Sequence, residues 1–136
     1  MVIKPYSQYC EAEILPLYKA VGWSNYYGHP EMLEKAFAGS LCTLAAYEGE
    51  NLVGIIRAVG DGYSIVFIQD ILVYPAYQRR GIGTALMQAL LDRYAHVYQI
   101  ELATDNTEKA TAFYKSLDFH PLHEIGCCGF IKLGQL

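Results

Sequence analysis

Two glycines, two arginines and a glutamine carry the clearest chemical signal in this chain. They stand in the run Val73-Tyr74-Pro75-Ala76-Tyr77-Gln78-Arg79-Arg80-Gly81-Ile82-Gly83-Thr84-Ala85-Leu86-Met87. An apolar, strand-like stretch stops at a proline, a basic glycine-spaced turn follows, and an amphipathic helix begins. A turn feeding a helix start leaves several backbone N–H groups without helical partners, at the positive end of the helix dipole. Gly81 and Gly83 have no Cβ to obstruct an approaching anion, and Arg79 and Arg80 add positive charge. The N–H groups from Arg80 to Thr84, that of Ile82 among them, are placed to donate to phosphate oxygens. The spacing lacks the Gly-x-Gly-x-x-Gly of dinucleotide folds and the Gly-Lys-Ser/Thr of a P-loop. Alone, it reads equally well as a helix start with close packing and two solvated arginines.

The turn needs a strand behind it and a helix ahead, and the hydrophobic pattern supplies both. Ser64 to Val73 is strongly apolar, which predicts a central strand covered on both faces. Gly81 to Tyr94 has apolar residues at helical spacing. Val97 to Ala103 predicts a strand parallel to Ser64–Val73, making a βαβ unit. Upstream, Val2–Tyr6 reads as an edge strand, and Glu11–Val21 as a helix that Pro16 weakens unless it lies in the first turn. Trp23 to Pro30 reads as an aromatic loop, and a helix follows from Pro30 or Glu31 to Gly39. Ser40–Tyr47 and Leu52–Val59 predict a hairpin. Asn106–Leu117 predicts a helix and Gly126–Leu133 a last strand. The resulting class is α+β, with helices around one mixed sheet, and the expected organisation is one domain over residues 1–136.

Composition narrows the function classes. The chain has 136 residues, 53% of them hydrophobic, which describes a globular protein with a sizeable core. A net charge of −4 argues mildly against nucleic acid and is compatible with a cationic substrate. No apolar run is long enough for a membrane span, and the N-terminus lacks signal-peptide features, so a cytoplasmic location is expected. Cys10, Cys42, Cys127 and Cys128 fit no zinc spacing, no metal is expected, and they read as small buried apolar residues.

Two blocks of sequence resemble the GNAT family of N-acetyltransferases. One is the strand-Val-x-Pro-x-Tyr-Gln-Arg-Arg-Gly-Ile-Gly-x-x-Leu-Met run from Val73 to Met87. The other is Asn106-x-x-x-Ala110-x-x-Phe113-Tyr114-x-x-Leu117-x-Phe119, and the order of elements matches over essentially the whole chain. Asp118 departs from the family's common glycine, at a position where a left-handed helix end is expected. The resemblance implies a three-layer α/β/α fold with a central parallel strand pair splayed to hold acetyl-CoA. It places the pyrophosphate on Gln78–Thr84, the pantetheine arm along the backbone of Ile71, Leu72 and Val73, and Asn106 and Tyr114 in the cofactor site.

The same resemblance implies direct attack by a primary amine on the thioester, in a ternary complex. A backbone N–H near Leu72 would stabilise the oxyanion, and Tyr114 would protonate the leaving thiolate. Positions where relatives carry a basic Glu or His fall on Phe67 and Gln69, and neither side chain can act as a base. Asp70 is the only ionisable group on that strand and is the candidate base. A regular strand would point it away from the side of Gln69, and a bulge could re-aim it. His29, His120 and Glu31 are further candidates without positional support. Trp23, Tyr26, Tyr27 and Gln69 are the expected acceptor site, suited to a small amine, an arylalkylamine or a polyamine. A non-catalytic coenzyme A-binding module and a binder of another nucleotide are the alternatives. Monomer and homodimer are both open.

Overall fold

The computed structural model describes residues 1–135, which divide into two compact units at Leu102/Ala103. The first unit contains one mixed sheet in the order β1 (Val2–Pro5), β2 (Cys42–Glu48), β3 (Asn51–Gly60), β4 (Ile65–Val73) and β5 (Gln99–Leu102). The first four strands are antiparallel neighbours, and β4 and β5 are parallel. A parallel pair needs a crossover, and α4 (Ile82–Arg93) provides it.

Helices cover both faces of this sheet, the three layers of an α+β fold. On one face α1 (Glu11–Ala20) and α3 (Pro30–Ala38) bring Ile14, Leu17, Tyr18 and Leu33 against Ala45, Ile55 and Leu72. On the other lies α4, whose Leu86 packs so close that a Cβ on Gly54 would sit 3.3 Å from its Cδ1. Ile82, Leu86, Met87 and Leu90 of α4 are buried at the spacing its sequence predicts. Pro16 lies well inside α1 rather than in its first turn. It is exposed, as is Ala12, whose carbonyl it leaves without an N–H, so water can satisfy that group.

The structure corrects four expectations. The loop from Trp23 to Pro30 contains a short helix, α2 (Ser24–Tyr27). Strand β4 is not covered on both faces along its length: Phe67, Ile71 and Val73 are half-exposed and Gln69 is exposed. Cys42 alone of the four cysteines is buried. Among the described residues the sheet has five strands, and the stretch predicted as a last strand, Gly126–Leu133, forms none.

The second unit holds α5 (Glu108–Ser116) and a 3-10 turn at Leu122–Ile125. Thr107 caps α5, its hydroxyl accepting from the Ala110 N–H at 3.1 Å, so the cap falls one residue after Asn106. The other end closes in a left-handed turn. Asp118 has φ 68°, the Phe119 N–H reaches the Tyr114 carbonyl at 3.0 Å, and the Asp118 N–H reaches that of Lys115 at 3.0 Å. This pair of bonds, with the Tyr114 and Phe119 rings 5.9 Å apart, is the Schellman arrangement that glycine usually completes.

Candidate active site

An irregularity in β4 decides which way its polar residues point. Asp70 pairs with Arg57 and Ile68 with Ala58, so Gln69 is an extra residue, a bulge. A bulge sets two consecutive side chains on one side of a sheet. Here Gln69 Nε2 donates to the Tyr26 hydroxyl at 3.0 Å, and Asp70 Oδ2 accepts from the Tyr18 hydroxyl at 2.6 Å. Both side chains therefore face the α1–α2 side, while Val73, beyond the bulge, packs toward Gly54 and Leu86.

Asp70 is only 1% exposed and is held on two sides. Arg57 Nε donates to the same Oδ2 at 2.7 Å, its Nη1 donates to Ser40 Oγ at 3.1 Å, and its guanidinium lies 5.3 Å from the Phe37 ring centroid. Oδ1 has no partner among the described residues. Burial and the adjoining Asp70 carboxylate push the Tyr18 hydroxyl far above the ordinary tyrosine range. Sequence reading missed Arg57 and Tyr18 as the partners of Asp70. The available signal was a lone arginine inside the apolar strand Leu52–Val59.

Around Tyr26 the aromatic residues form a cluster. Its ring centroid is 5.5 Å from that of Tyr18 and 5.7 Å from that of Trp23. Trp23, Tyr26 and Tyr27 are half-buried and pack on the core beside α1. A hydroxyl and an amide at the edge of these π faces could orient a cationic or aromatic amine.

On its other flank β4 is open. β4 and β5 pair only from Ile65 to Ile68, so Gln69 to Val73 have β3 on one side and no strand on the other. The unpaired edge runs directly into the basic turn. Gln78 Nε2 donates back to the Val73 carbonyl at 3.1 Å and ties the turn to the strand end. Arg79 (φ 65°) and Gly81 (φ 81°) both adopt left-handed backbone, and such alternation curls successive N–H groups into a concavity. The first α4 bond runs from the Ala85 N–H to the Gly81 carbonyl, leaving the N–H groups of Ile82, Gly83 and Thr84 free of helical partners. No side chain caps this helix start, and nothing lies within 4 Å of where a Gly81 Cβ would be. Arg80 rests over the Tyr77 ring at 5.1 Å, close to the turn. The concavity thus fits an oxyanion group of a phosphate ester.

In the second unit Asn106 is exposed and Tyr114 half-buried, with its ring edge-on to Phe113 at 5.0 Å. Burial raises the Tyr114 hydroxyl above the ordinary range, and a hydrogen bond with Thr104 opposes that shift. The phenol is therefore protonated at neutral pH and able to donate. His29 is half-buried at the start of α3, Glu31 is exposed in its first turn, and His120 Nε2 lies 3.5 Å from Asp118 Oδ1.

The acetyltransferase (GNAT) family matches residues 9–119. The chain belongs to that family. It is 44% identical to a GNAT acetyltransferase from Streptococcus pneumoniae TIGR4, with a TM-score of 0.89 over 99% of this chain and 98% of that one. A probable acetyltransferase from Staphylococcus aureus is 24% identical, with a TM-score of 0.76 over 97% of this chain and 100% of that one. An aminoglycoside 6'-N-acetyltransferase complexed with coenzyme A is 18% identical, with a TM-score of 0.65 over 87% of this chain and 74% of that one. The latter two bear on the fold alone. The protein is accordingly an acetyl-CoA-dependent acetyltransferase. Among the described residues no helix is long and apolar enough to cross a membrane.

Proposed function

We propose that this GNAT enzyme acetylates a small primary amine, an arylalkylamine or a polyamine, and that its two units work as one domain. The observation that carries the donor half is the unpaired β4 edge from Gln69 to Val73, ending in the N–H cradle before α4. Acetyl-CoA would lay its pantetheine arm against Ile71, Leu72 and Val73 as an added strand. Its pyrophosphate would rest on Gln78, Arg79, Arg80, Gly81, Ile82, Gly83 and Thr84, with Asn106 contributing from the second unit.

The acceptor half rests on the bulge. By turning Gln69 toward Tyr26, it sets an amide and a phenol beside Trp23 and Tyr27, where an ammonium or an aryl group would bind. The nucleophile must be the neutral amine. Asp70 is assigned the amine's proton, taken through a water on Oδ1, the oxygen without a partner. The Leu72 N–H is assigned the thioester oxyanion and Tyr114 the leaving thiolate. Release of free thiol from acetyl-CoA across a panel of amines tests the reading. Turnover with one amine class and none with peptides bearing a free N-terminus or lysine is expected. A thermal shift with acetyl-CoA but no turnover with any amine would overturn the acceptor assignment.

A further inference from the structure

A cleft that acetyl transfer leaves unused lies in the first unit. It opens at the start of α1, where β3 begins and β4 has ended, and encloses about 390 Å³. Glu13, Glu50, Asn51, Leu52, Tyr74 and Tyr77 line it. Tyr74 lies five residues beyond Gln69, roughly 16 Å along an extended chain, and neither Gln69 nor Tyr26 borders the cleft. Its volume, and its apolar wall with a few polar groups, suit a small-molecule ligand.

The lining says what charge that ligand carries. Glu13 is half-buried, and two phenols hold it in place: Oε1 accepts from the Tyr6 hydroxyl at 3.0 Å and Oε2 from the Tyr47 hydroxyl at 3.2 Å. Its charge reaches the wall of the cleft, since burial first, and then Glu13, raise the Tyr74 hydroxyl above the ordinary range. No basic group lies within 4.0 Å of Glu13 or Glu50 among the described residues. The cations nearby sit on rings instead. Lys4 Nζ is 4.6 Å from the Tyr47 centroid, and the Arg80 guanidinium is 5.1 Å from that of Tyr77. Positive charge is thus drawn to the rings around the cleft, while the carboxylates inside it stay uncompensated. The positive half charge at the start of α1 is offset by Glu11 and Glu13 in its first turn.

We propose that this cleft binds an alkylammonium ion, with the ammonium against Glu13, Glu50 and the Tyr74 and Tyr77 rings, and the alkyl stem along Leu52. An ammonium satisfies both kinds of wall at once, donating to carboxylate oxygens and lying over π faces. An anion would meet two carboxylates. A neutral apolar ligand would strip water from them with nothing in return. A hard metal ion takes six or more oxygens, and no group of three His, Cys, Asp or Glu stands together among the described residues. The site is independent of the acceptor: its ligand is bound, not acetylated.

Titration of the full chain with n-butylammonium, followed by amide chemical shifts and without acetyl-CoA, tests this. The amides of Glu13, Asn51, Tyr74 and Tyr77 should shift together along one saturable curve. Butan-1-ol, of similar shape but uncharged, should bind at least about tenfold more weakly, the scale of a lost charge-assisted hydrogen bond. Glu13→Gln and Glu50→Lys should each raise the dissociation constant for n-butylammonium by about tenfold or more. Glu50 is exposed in the turn before β3, so its variant reports even if Glu13→Gln fails to fold. Shifts confined to Gln69 and Tyr26 would leave the amine in the acceptor cluster alone and overturn the cleft. So would equal binding of butan-1-ol, or an unchanged dissociation constant in both variants.

Discussion

Arg57 and Asp70 meet across the bulge in β4, Nε to Oδ2 at 2.7 Å, with both side chains almost fully buried. Their attraction offsets the desolvation of each charge, and removal of one leaves the other stranded. Asp70→Ala and Arg57→Met should each cost about 3–5 kcal/mol, read as a fall in denaturation midpoint at unchanged m-value. Asp70→Asn keeps an acceptor for Tyr18 and Arg57 but removes the charge that offsets the buried guanidinium, so it is compared with wild type at temperatures where it stays folded. If Asp70 takes the amine's proton, kcat of the folded variant should fall by about 100-fold or more with coenzyme A affinity little changed. A wild-type kcat in the folded variant would leave Asp70 with the structural role alone.

Tyr18 supplies a pH signature of the same network. Burial first, and then the Asp70 carboxylate, raise its hydroxyl above the ordinary value, so the folded state holds a proton that the unfolded state gives up. Stability from this group is complete below pH ~10 and is lost as pH climbs beyond it, by up to about 1.4 kcal/mol per pH unit. Tyr6 is raised in the same direction, and Tyr47 is pushed up to about 12; burial leads in both, with Glu13 adding to it. Tyr18→Phe should lower the melting temperature at pH 7 yet flatten its decline above pH 10. An equally steep alkaline decline in that variant would place the titration in the other tyrosines.

Gly83 separates cofactor binding from folding. A Cβ added there meets only Val73 Cγ2, at 4.0 Å, so the protein itself accommodates a side chain. Gly83→Glu should therefore keep its melting temperature while a carboxylate enters the proposed phosphate position. Calorimetric titration with coenzyme A should give no detectable binding. Near-normal affinity would remove the pyrophosphate from this turn. Gly81 offers no such clean test, because its φ of 81° strains any other residue.

Much of this was legible in the chain because local chemistry decided it. Pro75, the arginines and the two glycines mark the turn, and apolar spacing marks α4 whatever the rest of the protein does. The left-handed end of α5 at Asp118 followed from the family resemblance, which puts a glycine at that position, rather than from the helix pattern. The bulge at Gln69 could not be read, because it depends on how β3 and β4 register with each other. With it went the direction of Asp70 and its union with Arg57, thirteen residues upstream, and Tyr18.

Gln69 and Tyr26 test the acceptor side. Their hydrogen bond, at 3.0 Å, joins an exposed strand residue to a half-buried ring on α2 and is made by side chains alone, not by the backbone of the β4 edge or the basic turn. Gln69→Ala should raise KM for the amine by about tenfold, the scale of one lost hydrogen bond, with the affinity for coenzyme A unchanged. Tyr26→Phe keeps the ring and loses only the hydroxyl. It should show the same KM effect for amines bound through polar contacts and little effect for amines held by stacking.

Tyr114 has two readings that kinetics can separate. Its ring packs edge-on against Phe113 and Phe119, and its hydroxyl stays protonated because burial disfavours the phenolate. Tyr114→Phe keeps the packing and removes only the donor. If the phenol protonates the departing thiolate, kcat should fall by about 100-fold or more while coenzyme A affinity changes little. The loss should shrink with acyl donors whose thiols are more acidic, since these leave without help. A Tyr114→Phe enzyme with wild-type kcat at every pH, and the same response to leaving-group acidity, would reduce Tyr114 to a packing residue and send the search for the acid elsewhere.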